Sequence, residues 1–362
     1  MFKNISAKLF DIFRQYHSKE MIANLDAKVI KYKLNEVEII TTVVDDIKPN
    51  CYVASIYNAT VAYAEDELSK ITIKYQKIIS IILIKLFSFI LKVINIDKIQ
   101  MLNNYMLSTN FYPESFNSID LQKLRKMAIN DYPAHTLLLR SVNNIQNHRL
   151  YCNLLKDNWL PITFRQVYLF NDYSECDKHI NYRRDKKLRD DKRYEFIEVD
   201  IENFALFERA VALYNQLYLD KYSQHNVQFT PLYLQELVKK EILHLRMLYD
   251  HKYNKYVGVV GLIGEDNIVT APIVGYDFSY SKKEALYRRV IAYAIEYARD
   301  NKLQLNLSSG AGQFKVGRGA TAELEYIFVY TKHLSLVKRV IWYLVSIISN
   351  HFYAGLLKKL KL

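Results

Sequence analysis

Glycine is scarce in this chain. There are 9 in 362 residues, far below the roughly 7% of an average protein, so any cluster of them is informative. Cysteine is scarcer still. Cys51, Cys152 and Cys176 lie far apart with no C-x-x-C pair, and the 9 histidines are scattered. That excludes a zinc pattern and a disulfide framework, and suits a reducing cytoplasm. The opening "MFKNISAKLFDIFRQYHSKEM" lacks a continuous apolar core and a small-residue cleavage site, so it reads as a short amphipathic helix rather than a secretory signal. The longest apolar run, Ile78 to Ile96, is interrupted by Lys85 and Lys92. It falls short of a membrane span, and its spacing predicts an amphipathic helix with a wide face packed inside the protein.

A length of 362 residues makes two domains the default expectation. Lys and Arg number 50 against 38 Asp and Glu, a formal charge of +12. That balance suits phosphate-bearing partners or an anionic membrane surface. Codon bias toward Lys, Asn, Ile and Tyr would produce the same sum, so local clustering carries more weight.

From Val37 onward, strand patterns alternate with helix patterns. "VEIITTVV", "CYVASI", "KIQMLNNYML", "HTLLLRSV" and "ITFRQVYLF" read as strands, with helices near 61–71, over Ile78–Ile96, and in "DLQKLRKMAI" and "HRLYCNLLKDN". Such alternation predicts an α/β layer. The charged segment "DKHINYRRDKKLRDDKR" follows, read as a solvated helix or linker, and the domain boundary is placed at its start. The second half runs strand, helix pair, three strands with short links, a helix ("EALYRRVIAYAIEYARDN"), strand "LQLNLSS", a glycine cluster and strand "ELEYIFVY". Its last part repeats the order that ends the first half. The expected division is 1–36 N-terminal helical extension, 37–176 first lobe, 177–335 second lobe and 336–362 basic amphipathic C-terminal helix. In that last helix Lys338, Arg339, Lys358, Lys359 and Lys361 accompany Trp342, Tyr343, Phe352 and Tyr353. Such a helix either packs on the protein or lies at a membrane headgroup boundary.

The glycine cluster is "SSGAGQFKVGRGA", where Gly310, Gly312, Gly317 and Gly319 interleave with Lys315 and Arg318. Gly312 to Arg318 comes near a P-loop, but the lysine and the magnesium-holding hydroxyl are missing and a strand follows. No G-x-G-x-x-G opens an early βαβ unit, which excludes a dinucleotide fingerprint.

The order of the second half is that of the GNAT acyltransferase fold. The strings "NNYMLSTN", "TLLLRSVN", "FRQVYLF", "LYLDKYSQHNVQFT", "PIVGYD", "LYRR" and "SSGAGQFKVGRGA", spread over Pro49 to Leu344, resemble bacterial GNAT-like acyltransferases akin to the Fem-type peptidoglycan aminoacyltransferases. The resemblance implies an α/β fold of tandem GNAT-like lobes, each a mixed sheet flanked by helices. It implies transfer of an acyl group, possibly a fatty acyl group, from a thioester to an amine by direct attack in a ternary complex. The Q/R-x-x-G-x-G/A loop that usually holds the coenzyme A pyrophosphate is absent, since the junction here is "YDFSYSKKEALYRRV". That leaves acyl-CoA, an acyl carrier protein thioester or an aminoacyl-tRNA as donors, without metal. The acceptor is the amine of a peptide, an amino acid or an amino sugar.

The same resemblance places the donor along Pro272 to Asp277, so along Ile273 and Val274, against Leu307 to Gly310. Ser309, Gly310 and Gly312 then form a crossing beside it, with Lys315, Arg318 and Arg288 aimed at phosphate. Asp277 is the first candidate for a base or amine anchor, or else a turn aspartate. Tyr276 and Tyr287 are candidates to protonate the leaving thiolate. Glu325 sits in an otherwise apolar strand and needs a partner, for which Lys315 or Arg318 is expected. Arg289 is a phosphate candidate or a solvated residue. His135, His333 and Cys152 read as packing residues. The alternative from another class is a catalytically inactive GNAT-like module that binds a membrane surface. The expected location is the cytoplasm, at the inner face of the membrane where the C-terminal helix binds it.

Overall fold

The computed structural model describes residues 4–68 and 74–360, so Lys361 and the end of the expected 61–71 helix lie outside it. The first half carries helices α1 (Ile5–Gln15) and α2 (Ser18–Met21), strands β1 (Lys28–Leu34) and β2 (Val37–Val44), and helices α3 (Tyr63–Glu67) and α4 (Lys74–Val93). Strand β3 (Ile99–Leu102), helix α5 (Leu121–Asp131), strand β4 (Thr136–Asn143), helix α6 (His148–Lys156) and strand β5 (Leu160–Phe170) follow. The second half has helices α7 (Tyr173–Lys178) and α8 (Ile180–Lys186), strand β6 (Tyr194–Glu198), and helices α9 (Phe204–Asn215) and α10 (Pro231–Lys239). Strands β7 (His244–Asp250), β8 (Lys255–Glu265) and β9 (Ile268–Tyr276) come next, with helix α11 (Leu286–Asp300). Strand β10 (Gln304–Asn306), helix α12 (Gly312–Val316), strand β11 (Thr321–Tyr330), and helices α13 (Leu336–Ile348) and α14 (Ala354–Leu360) complete it. Local chemistry sets several of these starts. Asp120 accepts from the backbone N–H groups of Gln122 and Lys123, and Thr230 caps α10 with Pro231 at its first position.

All strands join one mixed sheet in the order β1-β2-β3-β4-β11-β5-β10-β9-β8-β7-β6. Each half contributes one parallel pair, β3 with β4 and β9 with β10. The strand that closes each pair comes from the other half. β11 lies antiparallel to β4, β5 lies antiparallel to β10, and β5 and β11 pair with each other at the centre. The two lobes therefore exchange their last strands.

Two expectations are corrected here. "CYVASI" is a turn rather than a strand. The segment expected as a helical extension contains β1, which completes an edge hairpin with β2. The charged segment from Asp177 is the solvated helix of its two readings, mostly exposed rather than a linker. It folds as α7 and α8 and is tied down on α11 through Asp177 to Arg299, Asp185 to Arg288 and Asp191 to Arg289.

The C-terminal helices lie along one face of the sheet over β5. Trp342 is buried there. Ser346 donates to the Pro161 carbonyl at 2.6 Å, and Asn350 both accepts from the Thr163 N–H at 3.0 Å and donates to Pro161 at 2.7 Å. The shift in register between β5 and β11 near Arg165 accompanies these polar contacts. The α4 helix packs beside α13 in the same apolar cluster, but only along a narrow seam. Leu91 and Ser88 are buried, whereas Leu83, Leu86 and Phe89 face outward. The wide face expected to be interior is therefore mostly exposed.

Candidate functional site

The feature that shapes the site is a divergence between β9 and β10. Their pairing covers only Gln304 to Asn306 against Ile268 to Thr270. Beyond it β9 continues from Ala271 to Tyr276 with β8 on one side and no strand on the other. β10 leaves because its continuation is claimed by β5: Leu307 donates to the Tyr168 carbonyl at 3.0 Å, and Tyr168 donates to the Ser308 carbonyl at 3.2 Å. Ile273 and Val274 thus lie on a strand edge along the gap, and alternate residues there turn their backbone groups away from β8.

Lys315 holds the far side of that gap. Its ammonium donates to the carbonyls of Leu307 at 2.6 Å, Ser308 at 3.3 Å and Ser309 at 2.9 Å. It is buried, so it is not aimed outward at a phosphate as expected. Burial, and then the nearby Arg165, pull its pKa down from 10.5 to about 7. Between those values the unfolded chain binds a proton that the folded chain has released, so this group makes stability rise with pH across that window. Lys315→Met is expected to destabilise the protein by about 1–3 kcal/mol, because three carbonyls lose their donor, and to flatten that pH slope. Urea denaturation at neutral and alkaline pH measures both; an unchanged slope would rule this account out.

Arg318 is also turned inward. It pairs with Asp185 at 2.5 Å, donates to the Phe314 carbonyl and stacks on the Phe314 ring. Arg288 shares the same carboxylate at 2.5 Å, and Arg289 is held by Asp191 and the Leu188 carbonyl. Arg288 and Arg318 thus share Asp185 and Arg289 has its own partner, instead of the expected phosphate contacts. Of the glycines, Gly319 answers to the chain's own packing. Gly319 has φ +99, and a Cβ there would stand 2.9 Å from the backbone of Cys176, so what approaches is α7. Gly310 has φ +78 with open space around it, and Gly312 begins α12.

Three elements meet at the open end of β9. The Tyr276 ring lies 5.8 Å from Tyr287 at the start of α11, and Tyr287 lies 5.0 Å from Phe314 on α12. Phe278 and Tyr276 are 4.7 Å apart. This aromatic wall borders the gap. Burial, with Tyr222 adding to it, raises the Tyr276 phenol above its ordinary pKa. Burial alone would raise the Asp277 carboxyl, yet it sits below the usual carboxylate range because Ser279 and Arg209 hydrogen-bond to it. Arg209 reaches it at 2.7 Å.

Glu325 is not brought to this wall. It is buried on β11 and accepts from Arg165 of β5 at 2.6 Å, so its partner is neither Lys315 nor Arg318. Its second oxygen, Oε2, has no hydrogen-bond partner among the described residues. Arg165 continues to the Ser108 carbonyl, where Arg140 of β4 also donates, at 3.0 Å. The two guanidiniums tie the chain after β3 across the parallel pair of the first lobe. Sequence reasoning missed Arg140, Arg165 and Asp185. The signal was present: an arginine inside each of the apolar strand patterns "TLLLRSVN" and "ITFRQVYLF" demands internal acceptors, which are carbonyls for Arg140 and Glu325 for Arg165. A separate cleft of about 440 Å³ opens on the same sheet, lined by Gln166, Tyr168, Val316, Glu323, Leu324 and Lys358.

No family model and no curated protein matches the sequence. Among solved structures the chain is similar to FemX, with TM-score 0.52 and 8% identity over 95% of this chain and 94% of that one. The fold is a tandem GNAT-like, Fem-type fold. Weaker similarity extends to L-PGS from Bacillus licheniformis, with TM-score 0.44 and 12% identity over 65% of this chain and 79% of that one. A tandem GNAT protein from the clavulanic acid biosynthesis pathway aligns at TM-score 0.35 and 10% identity, over 57% and 67% of the two chains.

Proposed function

We propose that the protein is a cytoplasmic N-acyltransferase that moves an acyl group from a thioester to an amine. The observation that carries this reading is the open edge of β9 from Ala271 to Tyr276 beside the diverging β10. A thioester laid along that edge meets backbone N–H groups near Ile273 and Val274, which stabilise the oxyanion of a tetrahedral intermediate. The amine nitrogen bonds to the acyl carbon and the carbon–sulfur bond breaks; the Tyr276 phenol, which its raised pKa keeps protonated, passes its proton to the thiolate and regains one from the amine nitrogen. Asp277 positions the strand end through Arg209 and Ser279. Holding both reactants together supplies much of the rate enhancement.

In this reading residues 177–335 form the donor lobe and 37–176 the other lobe, with residues 1–36 and 336–362 as extensions. The fit is to the thioester end of a donor. The start of α11 has Ala285 at its cap with φ 55 and no side-chain cap, and Arg288 and Arg289 are engaged elsewhere. With both arginines engaged and the glycine loop missing, acyl-CoA, acyl carrier protein and aminoacyl-tRNA all enter the assay. The acceptors are amines of peptides, amino acids and amino sugars.

Each donor is incubated with the acceptor panel, following thioester loss and the mass of the amide. One productive pair is expected, with kcat about a hundredfold lower in Tyr276→Phe and KM nearly unchanged. Silence with every donor and acceptor would leave a binding module instead.

A further inference from the structure

We propose that α4 and the C-terminal helices together form one docking surface for an anionic lipid bilayer. The two elements lie side by side on one face of the sheet. Phe87 and Leu91 of α4 and Trp342 and Val345 of α13 line a single apolar cavity of about 40 Å³ between them. Ile162, Phe164 and Ile327 of the sheet line it too, so both helices turn their inner sides to the sheet and leave their outer sides exposed. Leu83, Leu86 and Phe89 on one helix and Val340, Leu344 and Phe352 on the other are between 47% and 73% exposed. Isolated exposed apolar residues are ordinary, but a contiguous field across two neighbouring helices marks an interaction surface.

Charge identifies the occupant. Neither Lys74–Val93 nor Leu336–Leu360 contains an aspartate or glutamate. Lys85 and Lys92 on α4 and Arg339, Lys358 and Lys359 on the C-terminal helices are exposed around the apolar field. A second copy of the chain, docking the same patch on itself, would set these like charges against each other. An anionic bilayer takes the apolar side chains below the headgroups and the basic ones among them. The segment Leu336–Lys359 is long and apolar enough to cross a membrane. However, Trp342 is buried against the sheet and Ser346 and Asn350 bond to β5, so it lies flat. Docking then comes from two helices fixed by one sheet, not from a detachable tail. This proposal is independent of the acyl-transfer reading.

The full chain is mixed with vesicles of phosphatidylglycerol and phosphatidylcholine, or of phosphatidylcholine alone, and binding is read by co-sedimentation. Binding to the anionic vesicles and its weakening by salt are expected. Leu86→Asp on α4 and Leu344→Asp on α13 should each weaken it about tenfold or more, with melting curves like the parent's because both sites are exposed. Lys85→Glu with Arg339→Glu, which leaves the apolar field intact, should weaken it also. A tryptophan replacing Leu83 should be quenched by lipids brominated near the headgroup, and one replacing Tyr253, exposed in the β7–β8 turn, should not. Three results would overturn the proposal. One is no vesicle binding; another is binding insensitive to the α4 substitution. The third is a dimer in sedimentation that dissolves in the same variants without lipid.

Discussion

Gly275→Ala is expected to cost about 3 kcal/mol or more and to abolish transfer activity. A Cβ at that position would lie 2.4 Å from the carbonyl carbon and oxygen of Leu213 and 2.5 Å from the Tyr214 nitrogen. Those are main-chain atoms at the end of α9, so no rotamer change relieves the overlap. Either β9 or the last turn of α9 must move. β9 is fixed on its other side by the register of Val259 against Gly275 and of Gly258 against Tyr276. The turn after α9, Gln216–Asp220, carries Tyr218, which stacks on Tyr214 4.6 Å away. Displacement on either side carries Tyr276 and the free edge with it. Denaturant melts and the donor assay read the two effects separately. An alanine variant with parental stability and turnover would show that the close approach is not required.

Arg165→Leu is expected to cost about 3–5 kcal/mol, because it strands a buried carboxylate. Glu325 is almost wholly shielded and Arg165 is its ion-pair partner at 2.6 Å. The same guanidinium holds the Ser108 carbonyl, which would keep only Arg140. Adding Glu325→Gln should recover part of the loss, since removing both charges is far less costly than removing one. A double variant no more stable than Arg165→Leu would sink the pairing account.

The order of strands and helices was largely legible in the sequence, because strand patterns such as "VEIITTVV" are short, apolar and bounded by turn residues. β2 covers that string from Val37 to Val44. The glycine-poor junction before α11 was legible too. The site was less so. Lys315 and Arg318 stand among glycines, which reads as a phosphate grip, and only tertiary contacts show that their charges turn inward toward carbonyls and Asp185. Glu325 called for a cation, but the cation was on β5, 160 residues away in sequence, and pairing of β5 with β11 could not be read locally. The α4 pattern gave amphipathicity without direction. Ser88, on the polar stripe, is the one buried, bonded to the Tyr57 hydroxyl at 2.7 Å.

The exchange of last strands has a consequence during synthesis. β5 leaves the ribosome with neither of its neighbours yet made, since β10 and β11 both come after Gln304. At roughly 5–20 residues per second, the wait for Tyr330 lasts on the order of ten to thirty seconds. Throughout it, "ITFRQVYLF" and the outer edge of β4 stay unpaired. The nascent chain therefore depends on being shielded from other strands over that interval, and a stall between Phe170 and Thr321 would release a half-sheet with an open edge.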